Sequence, residues 1–124
     1  MNIVDSSGWL EYFADGPNAP DFAEGLEGSD DLLVPTLSIY EVFKVVLRQR
    51  GESEALRAVA LMQEGKLIDL TSTIALHAAK LSLELKIPMA DSVMLATARE
   101  YDAVLWTQDS DFEGTEGVRF IAKK

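Results

Sequence analysis

Five carboxylates in this sequence sit where a fold can bring them together. Asp5 follows the apolar run Asn2-Ile3-Val4, and Asp109 and Asp111 follow Ala103-Val104-Leu105-Trp106. Asp91 follows Pro88-Met89-Ala90, and Glu41 lies inside Ile39-Tyr40-Glu41-Val42. Carboxylates crowded into one pocket repel, so at least one holds its proton well above the ordinary range until a cation relieves the charge. Hard divalent ions such as Mg2+ and Mn2+ take oxygen ligands, and Mg2+ keeps waters that a phosphate oxygen can replace. With no cysteine and a single histidine, His77, the chain has no thiolate site, no thiol nucleophile and no histidine-rich metal site. Any metal would be held by oxygen.

Periodicity indicates the elements that must position these acids. Met94, Leu95 and Ala98 fall at i+3, i+4 and i+7 from Asp91, so that carboxylate opens the apolar face of a helix. Ala103 to Trp106 reads as a strand buried in a parallel sheet, with Thr107 to Asp111 as the loop at its carboxyl end. Asn2 to Val4 is a first strand, and Ser6-Ser7-Gly8 a turn or cap before a helix over Trp9 to Phe13. After a loop from Gly16 to Pro20, Asp21 to Leu26 forms a short helix. Leu32-Leu33-Val34 is the second strand, stopped by Pro35; Thr36 or Ser38 caps a helix with a stripe of Ile39, Val42, Phe43, Val46 and Leu47, ending at Gly51. A helix over Ser53 to Glu64, a third strand over Leu67 to Leu70, and a helix from Ser72 or Thr73 through Leu76, Ala79, Leu83 and Ile87 follow. Val118 to Ile121 is a short last strand.

Strands alternating with helices imply an α/β chain with a mainly parallel sheet and right-handed crossovers. The carboxyl ends of such strands open onto one edge, where ligands bind, so Asp5, Asp91 and Asp109 can meet there. Each acid also has a plain structural reading. Asp5 is a favoured helix N-cap, Asp91 suits a helix N-terminus whose dipole favours an anion, and Asp109 with Asp111 suits a polar turn. Glu41 projects opposite its helix's apolar stripe, Ser38 and Glu41 match a capping box, and Lys44 at i+3 is a possible ion-pair partner. Coincidence of place, on one edge of one sheet, favours convergence.

Composition narrows the class. At 124 residues, 48% hydrophobic and 26% charged, the chain is expected to form one soluble globular domain. No apolar run approaches the ~18 residues of a membrane span, and the N-terminus lacks the basic start and apolar core of a signal peptide, so a cytosolic location is expected. Twenty-one acids against 11 bases give a net charge of −10. That argues against holding nucleic acid by bulk electrostatics; such a partner would need a local basic patch or bridging cations.

The fragments Ile3-Val4-Asp5-Ser6-Ser7, Ile39-Tyr40-Glu41-Val42, Pro88-Met89-Ala90-Asp91 with Leu95-Ala96-Thr97-Ala98, and Trp106-Thr107-Gln108-Asp109-Ser110-Asp111-Phe112 together resemble a PIN domain. The likeness spans almost the whole chain, and size and spacing are most similar to the VapC-type toxins of toxin–antitoxin pairs. The resemblance implies a single domain with a five-stranded sheet in order 3-2-1-4-5 and a ribonuclease dependent on Mg2+ or Mn2+. It implies Asp5, Glu41, Asp91 and Asp109 as catalytic acids, Asp5, Asp91, Asp109 and Asp111 as metal ligands, and Ser6 and Thr107 as supporting hydroxyls. Lys44, Arg48, Arg50 and Arg99 are the candidates for RNA phosphates, beside the reading that they are solvated helix faces. An antitoxin and a homodimer partner are implied, with Trp9, Tyr12, Phe13 and the Leu83 to Met89 region as apolar residues for dimer contact or for the core. A phosphoacceptor receiver domain is disfavoured, because Asp5 is followed by Ser6-Ser7 rather than by a second acid, and the third strand runs into Thr71. A PIN-like scaffold that only binds a partner is the third reading.

Overall fold

Side-chain alternation along the strands sets the layering. The computed structural model describes residues 1–27 and 31–124. Strands β1 (Asn2–Val4), β2 (Leu32–Pro35), β3 (Lys66–Ile68), β4 (Val104–Thr107) and β5 (Val118–Phe120) form one sheet in the order β3-β2-β1-β4-β5. Every pairing is parallel. Ile3, Leu33 and Leu105 enter one apolar cluster, while their strand neighbours Val4, Leu32, Val34 and Trp106 enter the other, as a side-chain period of two requires.

Helices cover both faces. On the Val4 and Trp106 side lie α1 (Ser6–Phe13), α2 (Ala19–Glu27), α3 (Thr36–Arg50) and α4 (Glu52–Met62); on the Ile3 and Leu105 side lie α5 (Ser72–Leu85) and α6 (Met89–Glu100). Gly8 permits α1 to lie against β1, since a Cβ there would stand 2.5 Å from Val4 Cγ1 and 2.7 Å from the Phe22 ring. In α6 all seven residues from Ser92 to Ala98 are buried. Its two buried hydroxyls are satisfied within the helix: Ser92 Oγ donates to the Met89 carbonyl and Thr97 Oγ1 to the Val93 carbonyl, both at 2.7 Å. A fully packed helix thus holds Asp91 in its first turn. Among the described residues no helix is long and apolar enough to cross a membrane.

Several sequence expectations need correction. Helix α1 starts at Ser6 rather than after Gly8, because Asp5 caps it, accepting the Gly8 N–H at 3.0 Å. Pro35 is the N-cap residue of α3; Ser38 is buried inside the helix with its hydroxyl on Met94 Sδ at 3.4 Å, so there is no Ser38–Glu41 capping box. The stripe of α5 is Ile74, Ala78 and Leu81, one register away from Leu76 and Leu83, which are 72% and 83% exposed. The sequence Leu76-x3-Lys80 with Ala75, Ala78 and Ala79 leaves periodicity nearly degenerate, and packing against α6 chooses the register. Trp9 is buried in the core, while Tyr12 and Phe13 are half-buried and pack against the same core cluster with part of each ring at the surface.

Candidate active site

The carboxyl ends of the adjacent strands β1 and β4 carry the site. Parallel register sets Val4 beside Trp106, so Asp5 and Thr107 leave the sheet side by side. Asp5 is only 5% exposed, yet both its oxygens have partners. Oδ1 accepts from Ser7 Oγ at 2.6 Å and from the Gly8 N–H at 3.0 Å, and Oδ2 accepts from Thr107 Oγ1 at 2.5 Å. Burial pushes the Asp5 carboxyl up; the Ser7, Thr107 and Gly8 donors pull it back, and the Asp109 charge adds to the rise. The cap reading and the convergent reading of Asp5 therefore both describe the same side chain.

Beside it lies an open acid cluster. Asp91, Asp109 and Asp111 each offer an oxygen, and these atoms lie within 4.8 Å of one another. Asp91 arrives from the first turn of α6; Asp109 and Asp111 arrive from the loop after β4, where Asp109 Oδ1 accepts the Asp111 N–H at 3.0 Å and so shapes the turn Ser110–Phe112. The Asp91 carboxyl is pushed up to about 7, first by burial, then by the charges of Asp109, Asp5, Asp111 and Glu41. Glu41, in the second turn of α3, is half-buried and accepts the Ser6 hydroxyl at 2.6 Å.

The structure thus brings Asp5, Glu41, Asp91, Asp109 and Asp111 to one edge, with Asp5 beside the three-acid set rather than within it. Ser6 and Thr107 each hold one of those carboxylates. The donor chemistry fits a hard divalent ion. A ligand distance of about 2.1 Å places two oxygens on one Mg2+ about 3 to 4.2 Å apart, a spacing that these three carboxylates approach. Among the described residues no Lys, Arg or His forms an ion pair with any of the five.

The basic candidates fare differently. Lys44 is exposed, with Nζ 5.7 Å from the Tyr40 ring centroid, and Arg48 and Arg50 are exposed in the last turn of α3. Arg99 is at the far end of α6, about 12 Å along the axis from Asp91, and reaches the Glu116 carbonyl, so it does not serve the acid edge. Sequence reasoning missed Ser7, Gln108 and Asn18. Asn18 is fully buried, and its Nδ2 donates to Gln108 Oε1 and the Ala122 carbonyl, both at 3.0 Å. A local reading of Gly16-Pro17-Asn18 as a loop holds no sign of a partner ninety positions away.

The PIN domain family model matches residues 3–118. No curated relative matches the sequence. The chain resembles a toxin–antitoxin complex from Klebsiella pneumoniae, with TM-score 0.83, 21% identity and 96% of each chain covered. It resembles VapC20 of Mycobacterium tuberculosis, a Sarcin-Ricin loop cleaving toxin, with TM-score 0.78, 16% identity and 100% and 99% coverage. The DNA-bound VapBC of Salmonella typhimurium gives TM-score 0.76 at 13% identity, with 98% and 97% covered. At these identities the solved structures speak for the fold, and the family model, which spans nearly the whole chain, speaks for descent: the chain belongs to the PIN domain family.

Proposed function

We propose that this chain is a divalent-metal-dependent ribonuclease, the toxin of a toxin–antitoxin pair, acting in the cytoplasm. The observation that carries the reading is the three-carboxylate set of Asp91, Asp109 and Asp111, with Asp5 and Glu41 at its border and, among the described residues, no basic side chain in an ion pair with it. Asp91, Asp109 and Asp111 would hold Mg2+ or Mn2+, with Asp5 adjoining. When bound, such an ion supplies polarisation of the scissile phosphate and a water of lowered pKa. The chain's own residues do the rest. Thr107 and Ser7 fix Asp5, Ser6 orients Glu41 at the pocket border, and Asp91, with its carboxyl pushed up to about 7, would give up its proton where a cation is held. Lys44, Arg48 and Arg50 are the cations available to RNA phosphates.

Partners follow from two further surfaces. A groove of about 430 Å3 among α1, α3 and α4 is lined by Leu10, Phe13, Val46, Ala58 and Leu61. An antitoxin segment laid there, with a basic side chain in the acid pocket, would block the site, since a guanidinium binds carboxylates bidentately. Two of the solved structures it resembles are toxin–antitoxin assemblies, which supports an antitoxin partner here. Leu83 and Met89 are exposed on the opposite helical layer and are the surface we assign to a second copy.

The deciding experiment incubates the purified protein with total RNA and with a Sarcin-Ricin loop hairpin, in Mg2+, in Mn2+ and in chelator. Cleavage only with the ions supports the reading. Metal-bound protein that cuts neither RNA would favour a partner-binding scaffold, and cleavage undiminished by chelator would remove the metal from the mechanism. A receiver-type phosphoacceptor is set aside by the family match and by Ser6 following Asp5.

A further inference from the structure

Ser6 and Ser7 are neighbours that serve different acids. Ser6 donates to Glu41, whereas Ser7 donates to Asp5 Oδ1 at 2.6 Å. Behind Ser7 Oγ, at 3.4 Å, stands the backbone N–H of Gln108. A backbone N–H can only donate, so it leaves the Ser7 hydrogen directed at the carboxylate. The same device holds the other oxygen: the Asp109 N–H donates to Thr107 Oγ1 at 3.0 Å, and Thr107 donates to Asp5 Oδ2 at 2.5 Å. Two hydroxyls, backed by the N–H groups of two consecutive residues, therefore grip the two oxygens of one carboxylate. The backing is itself braced. Gln108, 9% exposed, accepts from the buried Asn18 Nδ2 at 3.0 Å, and its Nε2 reaches the Ser7 carbonyl at 3.5 Å.

We propose that Ser7, braced by Gln108, is a positioning residue that fixes the torsion of the Asp5 carboxylate and thereby the orientation in which Asp5 meets the Asp91, Asp109 and Asp111 set. The proposal rests on the metal-dependent reading above. Without the Ser7 hydroxyl, Oδ1 retains one donor, the Gly8 N–H, against the Thr107 hydroxyl on Oδ2, and the carboxylate turns about its bond to Cβ to a new balance of these two.

The test compares wild type with Ser7→Ala, Ser7→Thr and Gln108→Met by calorimetric titration with Mn2+ and by crystal structures of the metal-free proteins. Ser7→Ala should bind Mn2+ about 10-fold more weakly, the lower end of the effect of groups that orient metal ligands, with the Asp5 carboxylate rotated. Ser7→Thr, which keeps the hydroxyl, should restore both, and Gln108→Met should give a smaller loss in the same direction. Wild-type affinity and an unmoved Asp5 in Ser7→Ala would overturn the proposal. A lower melting temperature with unchanged affinity and torsion would also overturn it, marking Ser7 as structural only. If Ser7→Ala does not fold, Gln108→Met decides by the same two readouts. If wild type binds no Mn2+, the metal reading fails, and the Asp5 torsion in Ser7→Ala still decides this inference.

Discussion

The two halves of the acid edge treat a carboxylate in opposite ways. On the sheet side, Asp5 is buried and three donors meet its two oxygens. On the helix side, Asp91, Asp109 and Asp111 face one another; the only hydrogen bond their carboxylates accept among the described residues is a local turn bond to Asp109. Folding offsets the burial of the first half in part with fixed dipoles. It leaves the second half with charge that a proton, a cation or a guanidinium can relieve, which is the physical content of a binding site.

The largest effects should come from breaking the open half. Asp91→Asn or Asp109→Asn should reduce RNA cleavage by more than about 100-fold, since even groups that merely orient metal ligands cost about 10–100-fold. Metal-free Asp91→Asn should melt at or above the wild-type temperature, because one of several repelling charges is gone. A marked loss of stability there would instead make Asp91 a structural helix-terminus anion. Next in size is the closed half. Thr107→Val leaves Asp5 Oδ2 and the Asp109 N–H without their partner, which should cost about 1–3 kcal/mol in denaturant unfolding and lower Mn2+ affinity as well. Weaker metal binding at full stability would show that the closed half contributes little to the fold.

A smaller, pH-dependent effect separates the halves further. The Asp91 carboxyl stands at about 7 in the folded chain against an ordinary value of 3.8, so the folded state binds the extra proton between those values. Its contribution to stability is fully present below about pH 4 and is lost as pH rises through 7. The melting temperature of metal-free wild type relative to Asp91→Asn should therefore fall from pH 5 to pH 8, and saturating Mn2+ should abolish the slope. A difference that stays flat with pH would mean that Asp91 is ionised throughout. The smallest effect is expected of Ser6→Ala, which removes a single hydroxyl from half-buried Glu41 and should cost about 0.5–1.5 kcal/mol, with a lesser loss of cleavage than Thr107→Val.

Much of this architecture was legible in order and type. Short apolar runs separated by helical periods fixed a parallel α/β sheet, and the positions of Asp5 and Asp109 after strands placed them on one edge, because strand ends and helix starts follow from local pattern. Register was harder. In α5 small residues flank the leucines, so the buried stripe of Ile74, Ala78 and Leu81 emerges only from packing against α6. Glu41 looked solvated by periodicity, since its partner Ser6 lies 35 positions away on another helix. Ser7, Gln108 and Asn18 were invisible for the same reason: their chemistry is satisfied by contacts of 90 to 101 positions in sequence or by a neighbour whose rotamer tertiary packing sets.

Occupancy of the open half by a divalent ion is the most direct test of the account. Crystals soaked in Mn2+ and measured at the manganese absorption edge should show an anomalous peak bound by oxygens of Asp91, Asp109 and Asp111, with Asp5 adjoining, and Asp91→Asn should lose it. A peak elsewhere on the molecule, or none at millimolar Mn2+, would contradict the assignment of this edge as a metal-dependent active site.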